Sequence, residues 1–535
     1  MTIIRRARAL ALCLSAAMSH QALAQSPSCV SAPAAIPGWG DDLRRSVAVS
    51  DPAVFAGAAA QDFSLGRTLG AIIASREISN TPAERVALLQ GMVRSFQRTG
   101  FVNPDGNLTV STPARPGEGA LDPVAMLDPA DPNGFRPVAV FNRLDLAPAD
   151  WRTCGEHRIV YAKNSASALD RMTLIFEATV PNPGGDPQGC RPIAQFWNGL
   201  SSPGLAPAEI ARRLAAFFYA GDTDGNGTSD LPAGGAVIQA ANLGLEFGQV
   251  RGNLFVTNGD FQANPWQLRE WRIVAGLDGA PVFAATTVKE NPLPALYAAP
   301  VPGDSPDLAS RRDDFTGRLL GRVAATLLAL EATAGGGGVS QDELLARLSA
   351  GFPGEFDTFV SISQGDGDDP LARSAGHAAL LDALTARLAG MPAAARCGVT
   401  PQHLLNRAGA LSCGGCHQFS VGQAVAPGVA WPATVQGGFV HVDERGTLSP
   451  ALLQHFLPER RRGLEAFLAS TQPMVATTSP AASASPVAAA LGRLAATASP
   501  LQRLEVLRDA EAIATRERRE LAVQPGAFTP ARRTH

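Results

Sequence analysis

The chain reads as an α+β protein, with a β-rich mixed part over residues 25–300 followed by a mainly α-helical part over residues 301–470. Three observations predict this. Between Arg136 and Val288, short runs of β-branched and aromatic residues alternate with polar ones, and Leu277-Asp278-Gly279 joins two of them as a hairpin. From Phe315 onward the apolar spacing changes to threes and fours, the helical period. Between the two regimes, Asn291 to Asp307 is rich in proline, the composition of a domain boundary. At 535 residues the chain is also too long for one ordinary core, so two domains and a tail are expected.

Taken in order, residues 1–24 read as a secretory signal peptide. Arg5, Arg6 and Arg8 precede the apolar run Ala9 to Ala17, and Ala22-Leu23-Ala24 is a small-x-small cleavage signal. The mature protein is therefore expected in the periplasm or outside the cell, with no transmembrane segment. Gln25 to about Ser50, rich in Pro, Ala and Ser, reads as an irregular lead-in. Thr81 and Glu84 form a capping box for a helix that buries Val86, Leu88, Leu89 and Met92. The Pro, Gly and Asp of Asn103 to Asn133 read as a long loop. Strands are expected at Arg136–Leu146, His157–Lys163, Met172–Val180, Asn253–Thr257, Trp266–Val274 and Pro281–Val288, and a helix at Pro207–Tyr219. Trp266 and Trp271 could line a ligand groove, although large aromatics in strands more often pack in a core.

In the second part, Phe315 to Leu330 marks a helix that stops at Gly335-Gly-Gly-Gly338. Ser340 with Glu343 caps the next, and Leu371 to Leu388 is a third, carrying His377. Thr400 caps a helix with Pro401 at its first position, and Ser449–Phe456 and Pro458–Leu468 are two more, the second started by Pro458. Residues 471–535 are a Ser/Ala/Pro/Thr linker and an Arg- and Glu-rich helix, Val487 to Leu521.

A net charge of −3 with 17% charged residues leaves no basic block to neutralise phosphates, which argues against nucleic acid as a partner. Six cysteines follow the signal: Cys29, Cys154, Cys190, Cys397, Cys413 and Cys416. Cys154 and Cys190 bracket two strands and suit a disulfide; Cys29 and Cys397 would then pair by elimination. Parity is satisfied equally whether Cys413 and Cys416 bond each other or serve another chemistry. No GxSxG elbow, HExxH or phosphate-binding glycine loop is found.

Two stretches carry ligand chemistry. Asp222, Asp224, Asn226 and Asp230 stand at alternate positions around Gly227, as in an EF-hand-like calcium loop, but the twelfth position is Ala233 where a bidentate Glu belongs. Cys413-Gly414-Gly415-Cys416-His417 has the spacing of covalent haem attachment: two thiols for the porphyrin vinyls and an adjacent imidazole for the iron. Such a spacing also occurs as half of a zinc site. The stretch from Thr400 to Ser470 resembles the c-type cytochromes, which likewise bring a helix into the motif and acquire haem outside the cytoplasm. The phrases Phe141-Asn-Arg-Leu-Asp145 and Trp266-Gln-Leu-Arg-Glu270 are similar to a group of secreted bacterial proteins with one C-terminal CxxCH. The resemblance implies haem c on Cys413 and Cys416, His417 as proximal ligand and an unidentified redox partner protein. For the sixth ligand the candidates are His403, His441, His455 and Met474. His441 follows the loop and precedes the closing helices, the distal ligand's place in that class. Two other readings stand beside this one: a CxxC that is a disulfide or metal site without haem, and a secreted binding protein stabilised by disulfides and calcium.

Overall fold

The computed structural model describes residues 29–56, 63–102, 109–111, 114–165, 167, 170–244, 248–256, 266–286, 296–320, 339–348, 374, 376–390, 396–411, 415–434 and 441–470. Residues 1–28, which include the segment expected as a signal peptide, Cys413, Phe439, Met474, the glycine run at 335–338 and the tail beyond residue 470 lie outside them.

The protein is α+β. Its centre is a seven-stranded antiparallel sheet in which every strand pairs with its neighbour in sequence. The strands are β1 (Ala48–Val49), β2 (Phe135–Arg143), β3 (Thr153–Lys163), β4 (Asp170–Pro181), β5 (Gln249–Val256), β6 (Gln267–Ala275) and β7 (Pro281–Thr286). The β6–β7 hairpin pairs Ala275 with Pro281 around the Asp-Gly turn, as expected.

Side chains alternate between the two faces of each strand, and both faces are covered. On the first face Tyr161, Leu174, Phe176, Leu254 and Trp271 meet α1 (Leu65–Ala74), α2 (Pro82–Ser95), α3 (Arg191–Gly199) and α4 (Pro207–Ala220) in one core. Trp271 Nε1 donates to Ser95 Oγ at 2.9 Å, and its indole lies over Gly252, where a Cβ would come within 3.1 Å of the ring. That close approach explains a glycine inside a central strand.

On the second face Val138, Phe141, Val160 and Ala162 form a core with Tyr297 and with α5 (Pro306–Arg318), α6 (Gln341–Leu348), α7 (Ala378–Ala389) and α8 (Pro401–Ala410). α9 (Leu457–Ala469) contributes to both cores through Leu457 and Leu464. The described residues between 301 and 470 therefore pack directly on the sheet formed by β1 to β7. Disulfides Cys29–Cys397 and Cys154–Cys190 are both present, the first tying the start of the described chain to the residues ahead of α8. Beside it Val30–Ser31 pairs with Val339–Ser340 in parallel.

The capping boxes at Thr81 and Thr400 are present, and Ser340 Oγ accepts the Glu343 N–H at 3.1 Å. Several expectations are corrected. The stretch expected as a long loop carries a strand pair, Gly100–Val102 with Thr109–Ser111, and helical turns at Pro116–Gly119 and Pro123–Leu127, because proline there occupies the first helical turn where its missing N–H costs nothing. The lead-in contains the edge strand β1. Pro458 stands in the first turn of α9, Leu457–Ala469, as expected, and the turn ahead of it is a π-helix at Leu452–Phe456, which accommodates the missing hydrogen bond.

Candidate functional site

α8 brings the chain to the cysteine motif. Thr400 Oγ1 accepts the His403 N–H at 3.1 Å while His403 Nδ1 accepts the Thr400 N–H at 3.2 Å, so this histidine is a cap. Leu404, Leu405 and Ala408 bury the opposite side. Beyond Cys413, Gly415–Phe419 forms one wide π-type turn in which Cys416 and His417 are buried. Trp431 Nε1 donates to the Cys416 carbonyl at 3.1 Å. The His417 imidazole lies against the Trp266 indole with ring centroids 4.7 Å apart, and Trp266 in turn tilts over Phe255 at 6.2 Å. Cys416 and His417 are thus docked on the second face of the sheet where β5 ends and β6 begins.

His441 reaches the same face from the segment ahead of α9. Its carbonyl accepts the Ser449 N–H at 2.8 Å, and a Val442–Leu448 bridge closes the turn between them. Both ring nitrogens are buried. Burial drives its pKa well below the usual value, and the charges of Arg460, Arg143, Arg158 and His417 push it further the same way. The ring is therefore neutral, the form that ligates a metal. His455 is engaged elsewhere, with Nδ1 2.8 Å from Asp342 Oδ1. The charge of His417 is among those acting on His441.

Below His441 the sheet carries a feature that strand patterning did not disclose: a buried ladder of alternating charge running across β2 to β6. Arg143 Nε is 3.0 Å from Asp145 and is held charged by Asp145 and Glu156 against the effect of burial. Glu156 pairs with Arg158 at 2.6 Å, Arg158 with Glu177 at 3.1 Å, Glu177 with Arg251 at 3.2 Å, Arg251 with Glu270 at 3.0 Å and Glu270 with Arg272 at 2.8 Å. Gly155, at φ +74°, allows the bulge that starts this row; a Cβ there would meet the Arg143 carbonyl at 2.2 Å. Between ladder and imidazole lies a void of about 40 Å³, lined by Arg143, Arg158, Glu177, His441, Leu452 and Arg460 among others.

The donor set fits haem in kind. A buried thiol stands beside a buried imidazole, a second neutral imidazole is near, and guanidinium groups are suited to propionates. The void itself has room for about three waters, so a porphyrin seated there requires its walls to part.

The acidic loop follows α4, which Gly221 ends in the left-handed conformation. One carboxylate oxygen from each of Asp222, Asp224 and Asp230 lies within 4.8 Å of the others. Burial raises the Asp222 carboxyl, and the N–H groups of Gly227, Gly225, Asp224 and Asn226 outweigh it and hold the group below its ordinary value. Asn226 Oδ1 instead accepts the Thr228 N–H at 2.7 Å. His157 is packed in the first core between Trp197 and Phe217, where burial lowers its pKa to about 3.

Comparison of the chain with protein-family models, with curated proteins and with solved structures finds no match. Among the described residues no helix is long and apolar enough to cross a membrane.

Proposed function

We propose that the protein is an exported mono-haem c-type cytochrome-like protein that transfers electrons to or from an unidentified partner protein. Cys413 and Cys416 hold haem c, His417 is the proximal ligand and His441 the distal one. The observation that carries this reading is the gathering of Cys416, His417 and His441 on one face of the sheet, with His441 kept neutral by burial and by the cations beside it. When bound, the iron supplies one-electron redox chemistry. Trp266 and Trp431 keep the His417 turn seated, and the covering helices exclude water, which tunes a buried redox centre. The two disulfides suit an oxidising compartment. Calcium held by Asp222, Asp224, Asn226 and Asp230 is a second, structural part of the proposal, supported by the convergence of three carboxylates.

The test of the haem reading is the visible spectrum of full-length protein produced with a c-type maturation system. A Soret band that disappears in the Cys413→Ser/Cys416→Ser variant supports it; a colourless wild-type protein turns the reading to a Cys pair without haem. The calcium reading is tested by melting with and without millimolar CaCl₂. A rise in Tm that Asp222→Asn abolishes is expected, and an unchanged Tm refutes it.

A further inference from the structure

The void beneath His441 has walls unlike those of an apolar cavity. Of its charged lining groups, Arg143, Arg158, Arg251 and Arg460 are guanidiniums and Glu177 alone is a carboxylate. The rest of the wall is mainly apolar, with Phe141, Val160, Ile175 and Leu268, so water competes weakly with a bound group. Three of the arginines are set in place before any ligand arrives. Arg158 is fixed by Glu156 at 2.6 Å and Glu177 at 3.1 Å, Arg143 by Asp145 at 3.0 Å, and Arg251 by Glu270 at 3.0 Å. Arg460 enters from α9 on the opposite wall, with its Nε 3.9 Å from Asp145.

We propose that this void is a binding site for a small planar oxyanion, a carboxylate or an inorganic anion of the same shape, held by Arg143, Arg158 and Arg460. Arg143 and Arg158 spend Nε and Nη2 on Asp145 and Glu156, so it is the positive charge gathered in the lining that attracts the anion. A volume of about 40 Å³ corresponds to about three waters, which suits an anion of the size of acetate or nitrate. Ordering little on binding favours affinity, because the arginines are already held. The site is that of the chain without haem, because a porphyrin ligated by His441 would take the same void and the same arginines.

The test is thermal melting of the full-length protein, produced without haem attachment, against sodium acetate, sodium nitrate and acetamide, with NaCl balancing ionic strength. Acetate and nitrate are expected to raise Tm with half-saturation on the order of 1 mM, while acetamide, which has acetate's shape without its charge, leaves it unchanged. Arg460→Gln, on the outer wall, should weaken the acetate effect at least about tenfold. Equal effects of acetate and acetamide, an acetate effect that survives Arg460→Gln, or no effect of either anion, as for a void that holds water only, each overturns the proposal. The acetate and acetamide arms use the wild-type protein, so the result stands even if the variant does not fold.

Discussion

Glu177 is the joint of the buried ladder, and Glu177→Gln measures what the ladder is worth. Its side chain is 1% exposed and touches Arg158 at 3.1 Å and Arg251 at 3.2 Å, with Gln249 Nε2 donating at 2.5 Å. The substitution keeps the shape, removes one charge, and turns an amide NH₂ toward groups that are themselves donors. Breaking a buried pair this way costs about 3–5 kcal/mol. Arg158 retains Glu156 and Arg251 retains Glu270, so the lower end, about 3 kcal/mol, is expected. Urea unfolding followed by circular dichroism should show the midpoint falling while the slope is unchanged. The control is Glu209→Gln. Hydrogen bonds from Arg212 and Arg213 hold the Glu209 carboxyl down to about 2, yet the cluster is solvent-exposed, and its loss should stay within the scatter of the measurement. A loss below about 1 kcal/mol for Glu177→Gln would refute the account of the ladder as a desolvated electrostatic unit.

Acid should weaken the fold through His157. Its folded pKa of about 3 lies below the ordinary 6.5, so between those values the unfolded chain binds a proton that the folded one refuses. Stability is then whole above about pH 6.5 and declines as pH falls towards 3, by at most about 4–5 kcal/mol from this group. His157→Phe should flatten part of that decline, and an unchanged pH slope in the variant would contradict it. Replacing Cys154 and Cys190 by Ala opens a loop of 36 residues and should cost about 4 kcal/mol in the same unfolding assay, against no loss if the bridge does not form in the purified protein. His441→Ala in haem-loaded protein should change a low-spin visible spectrum to high-spin; an unchanged spectrum assigns the sixth position to another group.

Local chemistry was legible wherever one or two residues decide it. The Thr81 and Thr400 caps and the Asp278-Gly279 hairpin were readable because a cap or a turn residue specifies them nearly alone, and the disulfides because Cys154 and Cys190 bracket two strands and leave Cys29 to Cys397. α1 and α3 went unread. α3 follows a Cys-Arg-Pro step that looks like a loop, and only its packing of Trp197 against His157 and Phe217 makes its role plain. The buried ladder was hidden for a related reason. Alternation of Arg158 and Glu156 with Ile159 and His157 is what a sheet with one wet face shows, and nothing local states that residues 301–470 will cover that face. The site was half legible: the cysteine spacing singled out Cys416 and His417 and the chain order singled out His441. Trp266, weighed between core and groove lining, and Arg460, which no sequence pattern singled out, acquire their places only from tertiary packing.

The central claim is that Cys413 and Cys416 carry haem covalently, and the most direct measurement is haem retained after denaturation. Protein exported through a c-type maturation system is boiled in detergent with reductant, separated on a gel and stained for haem peroxidase activity, with intact mass taken in parallel. The account expects a stained band at the chain's position, a mass increase of one haem, and loss of both in Cys413→Ser/Cys416→Ser. An unstained band whose mass equals that of the polypeptide alone would contradict it.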